Sequence, residues 1–154
     1  MARFEQLFRD GNFASHATRY NDYYPGQEQS TRIVLTISVA GLLTLPAIVD
    51  TGAPWCILDP ETVSLIETAI EGTYAPGGRL LIRGTLYEGR LVRIPIGILT
   101  AQGDSSEVDA TVFVPTLASG DTWSHPNFIG LEGLLSRIRF AIDPPENAFY
   151  FDIV

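Results

Sequence analysis

From Arg32 onward the chain alternates between hydrophobic and polar positions. Ile33, Leu35 and Ile37 share one parity and Thr36 and Ser38 the other, the period of two expected of a half-buried strand. Ala40-Gly41 supplies a turn, and residues 42–49 read as a return strand that delivers the chain to Asp50. Residues 55–58 form another short apolar strand. Asp59-Pro60 then opens a helix: the Asp59 carboxylate suits an N-cap, and Pro60 suits the first helical position, where no N–H is needed. The helix is expected to run to about Ile70 and stop at Gly72. Residues 73–78 read as a Pro/Gly loop, and 80–82 and 86–87 as short strands. In residues 91–99, Val92, Ile94, Ile96 and Ile98 fall on one face. Pro95 has the opposite parity and points to an edge or a break in the ladder. A polar turn at 102–106, a strand at 110–114 and a loop at 117–126 follow. Phe128-Ile129-Gly130 is a short strand ending in glycine. Residues 131–139 have helical spacing through Leu131, Leu134, Leu135 and Ile138. A turn at 144–147 and a strand at 148–151 close the chain.

Residues 1–30 differ. They are polar and aromatic, with Phe4, Phe8, Phe13, Tyr20, Tyr23 and Tyr24, and lack a clear period. Residues 1–9 suit a short helix built on Phe4, Leu7 and Phe8, and 21–30 have the composition of a loop. The segment fits an arm, a propeptide-like extension or a strand of a dimer, and its pattern does not choose among them. The organisation expected is an extension at 1–30 followed by one domain at 31–154.

Composition agrees with that picture. With 154 residues, 45% hydrophobic and 18% charged, the chain can bury one ordinary core. Its ten prolines and fourteen glycines, spread along the sequence, punctuate short segments and favour a β-rich fold. A net charge of −8 argues against a nucleic-acid partner, which needs basic surface. The first thirteen residues lack the apolar core of a signal peptide, and no apolar stretch approaches the ~18 residues of a membrane span. A soluble, cytoplasmic protein without a membrane partner is expected. The single cysteine, Cys56, lies between Trp55 and Ile57 and reads as a buried, inert thiol. His16 and His125 stand apart from any Cys/His cluster, so no metal is expected, and there is no phosphate-binding glycine loop.

The chemistry concentrates at Asp50. Three apolar residues, Ala47-Ile48-Val49, run straight into Asp50-Thr51-Gly52. A carboxylate at the end of a buried strand is costly unless it is paired, hydrogen-bonded or reactive. Thr51 adds a hydroxyl that can fix the turn, and Gly52 leaves the carboxylate open to approach. Such a tripeptide arises by chance in a chain of this length with a probability of roughly a few per cent, and alone it equally fits a turn after a strand.

Its surroundings carry more. Ala47-Ile48-Val49-Asp50-Thr51-Gly52-Ala53 resembles the active-site signature of the retropepsin family of aspartic proteases. Phe128-Ile129-Gly130, followed by Leu131-Glu132-Gly133-Leu134-Leu135, resembles the family's second signature. Ala110-Thr111-Val112-Phe113-Val114 resembles the strand before it, and Asp143 through Phe151 the closing turn and strand. The resemblance spans about four-fifths of the chain. It implies an all-β, closed-barrel fold with one or two short helices, one of them C-terminal, and a homodimer with the active site on its two-fold axis. The sequence supports a dimer independently. It holds one Asp-Thr-Gly, Asp121-Thr122-Trp123 lacks the glycine, and a dyad needs two carboxylates, which a two-fold axis supplies.

The resemblance also assigns roles. Asp50 is the catalytic carboxylate, and Thr51, Gly52 and Ala53 support its loop, Thr51 by bonding across the axis. Phe128, Ile129 and Gly130 brace that loop. Ile57 matches an apolar pocket-lining position, with core packing nearly as good a reading. A flap is expected at residues 73–83, with Pro76-Gly77-Gly78 near its tip and Gly77 and Gly78 against substrate; residues 83–89 are a rival location, and an ordinary surface hairpin is the plain alternative. Trp123 suits a cleft or simple packing. Two departures stand out. The acidic residue common after the alanine is Pro54, and the arginine common after the second glycine is Leu131. Losing both is coherent, because losing one would strand a buried charge at about 3–5 kcal/mol. The expected activity is cofactor-free endopeptidase action on extended, largely apolar polypeptide segments. A non-catalytic dimeric peptide-binding module of the same fold, or a protease that mainly trims its own residues 1–30, are the alternatives.

Overall fold

The structure is a computed structural model and describes residues 13–70, 73–101, 103 and 105–154, with backbone alone at 69 and 73–77. The alternation near residue 33 becomes the first two strands of a barrel. In chain order the strands are β1 (His16–Arg19), β2 (Val34–Val39), β3 (Leu43–Asp50), β4 (Cys56–Ile57), β5 (Thr73–Ile82), β6 (Thr85–Ile98), β7 (Glu107–Pro115), β8 (Phe128–Gly130), β9 (Ile138–Asp143) and β10 (Ala148–Ile153). Strands β2-β3-β8-β4-β7-β6 form a ring, closed where β6 returns to β2 through Ile37↔Ile98, Ser38↔Gly97 and Val39↔Ile96. Closure removes the unpaired edges a flat sheet would expose. The fold is therefore the all-β closed barrel with few helices that the sequence led one to expect.

Every second residue fills the barrel. Leu35, Ile37 and Val39 of β2 and Val92, Ile94 and Ile96 of β6 are almost wholly buried, each stabilising the fold by roughly 1.5–3 kcal/mol. The β2–β3 turn places Ala40 at φ 53° and Gly41 at φ 67°, with the Leu42 N–H donating to Val39 O at 3.0 Å, so both central residues of that turn have the positive φ of a type I′ turn. Pro95 sits between the last β5 pairing, Thr73↔Val92, and the first β2 pairing, Val39↔Ile96. Its carbonyl accepts from the Ala40 N–H at 2.8 Å, so its missing N–H faces the gap between two neighbours and costs no ladder bond.

A second sheet, β1-β10-β9, lays Phe149 and Phe151 on the same core. β1 comes from the N-terminal segment and pairs with the C-terminal strand through Ala17↔Tyr150 and Thr18↔Phe149. Ala17 and Tyr20 are buried with it. The short helix expected at residues 1–9 lies outside the described residues.

Among the described residues, helix is confined to α1 (Pro60–Leu65) and three short 3-10 turns. α1 is capped as expected, with Asp59 Oδ1 accepting from the Glu61 N–H at 2.9 Å. It stops earlier than expected because its buried stripe is only Val63, with Ile66 following at φ −116°; a 3-10 turn, Glu67–Ala69, continues to Ile70. The C-terminal helix expected at 131–139 does not form. Its backbone is committed elsewhere: Leu131 N–H donates to Ala53 O, Glu132 and Gly133 N–H both donate to Pro54 O, and Gly133 O accepts from Thr111. Only a 3-10 turn, Leu135–Arg137, remains before β9. The spacing still reports burial, since Leu134, Leu135 and Ile138 are all in the core. No helix among the described residues is long and apolar enough to cross a membrane.

Candidate active site

Asp50 ends β3 in parallel register with β8, through Ile48↔Phe128, Val49↔Ile129 and Asp50↔Gly130. On its other flank the Val49 N–H donates to Ile33 O at 2.9 Å. The strand is thus fixed on both sides up to the residue before the carboxylate. The chain then turns. Gly52 N–H donates to Asp50 Oδ1 at 2.9 Å, and Ala53 N–H to Asp50 O at 3.2 Å. Ala53 and Pro54 carbonyls take the N–H groups of residues 131–133. The Phe128-Ile129-Gly130 strand and its following turn therefore hold the Asp50 loop by backbone bonds, at the two positions, Pro54 and Leu131, where the resemblance leads one to expect a charge pair. Gly130 permits this closeness: a Cβ there would lie 2.1 Å from the Trp55 carbonyl oxygen. Thr51 and Gly52 are exposed in the single chain.

A cleft of about 390 Å³ opens at Asp50. Its floor includes Gly52 and Ala53, its walls are Ile48, Ile57 and Phe128, and its roof is residues 80–83. Ile57 is at once a cleft wall and a buried residue of the core.

The roof is the β5–β6 hairpin, and here the expectation needs correcting. The tip is Arg83-Gly84, at φ 48° and 87°, set by the cross-strand pairs Leu80↔Tyr87, Leu81↔Leu86 and Ile82↔Thr85. Two successive positive φ values make the hairpin turn. Neither Gly77 nor Gly78 forms the tip, because β5 runs through both to Ile82, and Gly78 does not line the cleft. Gly77 lies at a break in register between Pro76 and Gly78, and Gly78 pairs with Gly89, whose missing Cβ leaves room for the Phe113 ring: one added at Gly89 would stand 2.5 Å from it. The residues read as a Pro/Gly loop belong to a strand with a bulge.

The base of the roof rests on the 117–126 loop. Tyr87 Oη and His125 Nε2 lie 3.0 Å apart, and Trp123 meets both rings edge-on at 5.2 and 4.9 Å. Trp123 thus packs under the hairpin and does not line the cleft. Burial, followed by the nearby Arg83 charge, pushes the His125 pKa below its ordinary 6.5. Cys56 is buried behind the site, and burial pushes its thiol up to about 12, which keeps it protonated and unreactive.

No family model and no curated protein matches the chain. It is similar to the retroviral protease-like domain of Ddi1 from Leishmania major, at 16% identity over 80% of this chain and 90% of that one, with a TM-score of 0.49.

Three groups around the site went unread in the sequence. Asn127, buried, accepts from the Asp59 N–H through Oδ1 at 3.1 Å and donates through Nδ2 to Pro46 O and to Tyr24 Oη. It ties β3, the start of α1 and the Tyr24 loop together just before β8. Arg83 and Arg32 line the cleft. Asn127 precedes a strand in a loop of Ser, His and Pro, and only its lack of solvent would have marked it. Among the described residues no group of three or more His, Cys, Asp or Glu side chains is placed to hold a metal ion.

Proposed function

We propose that the chain is a retropepsin-like aspartic endopeptidase, active as a homodimer in which Asp50 of each copy supplies half of the catalytic dyad. The observation that carries this reading is the placing of Asp50: a half-buried carboxylate at the floor of a cleft, in a backbone-braced loop, under a hairpin roof. Two such carboxylates brought together share one proton, because like charges that close do not both ionise. The ionised Asp50 takes a proton from a water molecule, which attacks the peptide carbonyl carbon. The protonated Asp50 of the second copy gives its proton to the carbonyl oxygen. The tetrahedral intermediate collapses as the first carboxyl returns a proton to the leaving nitrogen, the C–N bond breaks, and the second Asp50 takes back one hydroxyl proton as the carboxylic acid product forms. The exposed Thr51 and Gly52 would meet their counterparts at the axis. The hairpin over the cleft would open to admit an extended segment and close over it.

The test is Asp50→Asn. Peptide cleavage should fall by roughly 10²–10⁴-fold, while the melting temperature stays near wild type. Cleavage at the wild-type rate by the variant would overturn the assignment.

A further inference from the structure

All ten cationic side chains of this chain are arginines. Four of them are matched on the outside of the fold: Arg79 with Glu88 at 3.5 Å, Arg90 with Glu67 at 2.8 Å, Arg93 with Asp109 at 3.2 Å and Arg139 with Asp152 at 3.5 Å. Arg32 and Arg83 form no ion pair among the described residues, and both line the Asp50 cleft. Arg32 stands just before β2, one residue from the Ile33 carbonyl that accepts the Val49 N–H. Among the described residues its guanidinium makes one hydrogen bond, a local one to Thr31 O at 2.9 Å. Arg83 sits at the hairpin tip with its guanidinium carbon 5.8 Å from the centre of the Phe128 ring. One cation comes from the floor side and one from the roof. Among the described residues, the only acidic one lining this cleft is Asp50 itself.

In a chain with net charge −8, this is a local reversal of sign at one concave site. A guanidinium held over an aromatic ring keeps its outward N–H fork available, and that fork matches a carboxylate. The apolar walls, Ile48, Ile57 and Phe128, suit an apolar side chain beside it. We propose that the cleft selects acidic peptide segments, in which Asp or Glu side chains flank an apolar residue at the scissile bond and meet Arg83 and Arg32. This refines the largely apolar substrate expected from sequence. The cleavage of such segments rests on the protease reading above; their preferential binding does not.

The experiment uses short extended peptides sharing one apolar centre, with Glu, Gln or Lys at each flanking position in turn. Affinity is measured by fluorescence anisotropy on the full chain carrying Asp50→Asn, and kcat/KM on the wild type. Glu should exceed Gln by roughly tenfold at one or more positions, Lys should be worst, and the preference should shrink as salt rises. Arg83→Gln and Arg32→Gln should each remove it at their own positions, and Arg83→Glu should turn it toward Lys. Both arginines are exposed, so the variants should melt as wild type does. Equal binding of Glu and Gln peptides, or a preference that survives both substitutions, would overturn the proposal. Failure of the protease reading looks different: no peptide is cut, while Glu peptides still bind better to the chain.

Discussion

Gly130 shows how a single residue can decide the site. It faces Asp50 in the β3–β8 register, and an added Cβ would stand 2.1 Å from the Trp55 carbonyl oxygen and 2.4 Å from its carbon. Both are backbone atoms and cannot swing aside. Gly130→Ala should therefore destabilise the fold by about 1–3 kcal/mol or more, read as a lower urea midpoint. Gly52 makes the contrast. Among the described residues a Cβ there meets only Asp50 Oδ1, at 3.2 Å, the end of a side chain. Gly52→Ala should barely move the midpoint yet reduce cleavage, because the carboxylate must shift. Equal losses of stability in the two variants would refute this division. Asp50, Gly52 and Gly130 were legible in the sequence because their types and order are informative. Asn127 was not, because a buried Asn and a loop Asn are the same letter. Only the fold brings Pro46, Asp59 and Tyr24 around it.

At the level of elements, parity read well and boundaries read poorly. Alternation placed Val92, Ile94, Ile96 and Ile98 inside the barrel, since a strand's period is local. The hairpin tip was misplaced because Pro76-Gly77-Gly78 is the loudest turn signal in composition, while the turn itself needs only two residues, Arg83-Gly84, flanked by pairing apolar residues. The 131–139 helix failed for a non-local reason, the capture of its N–H groups by Ala53 and Pro54. The hairpin's seat carries a pH dependence. His125 has its pKa lowered from 6.5 by burial, then by Arg83. The unfolded chain therefore takes up the His125 proton first as pH falls. Stability from this contact is complete above 6.5, declines as pH drops through that value, and levels off once the folded protein is protonated too. Protonation also makes both ring nitrogens donors, so that Nε2 can no longer accept from the Tyr87 hydroxyl, and adds charge near Arg83. Melting temperatures of wild type should fall more steeply between pH 7.5 and 5.5 than those of His125→Gln. Parallel curves would remove His125 as the cause.

For the whole molecule the question is how many copies make one site. A single chain offers one Asp-Thr-Gly loop, with Thr51 and Gly52 open to solvent. Around it, Leu81 and Leu86 at the hairpin tip are 66% and 57% exposed, and Leu131, next to Gly130, is 42% exposed. Large apolar side chains exposed close in sequence or pairing to the Asp50 cleft are a surface a second copy could cover. If each active unit needs two Asp50 carboxylates, wild type and Asp50→Asn chains that exchange freely give active sites only where two wild-type chains meet. In an equal mixture that is about one quarter of dimers, so activity per total chain should fall to about a quarter of that of wild type at the same total concentration. One carboxylate per site would give about half. The measurement is a titration of variant into wild type at fixed total protein, at a concentration where sedimentation shows dimer. A curve following the square of the wild-type fraction supports a shared site. A straight line would mean that Asp50 works within one chain, and the dyad reading would fall even if Asp50→Asn alone is inactive.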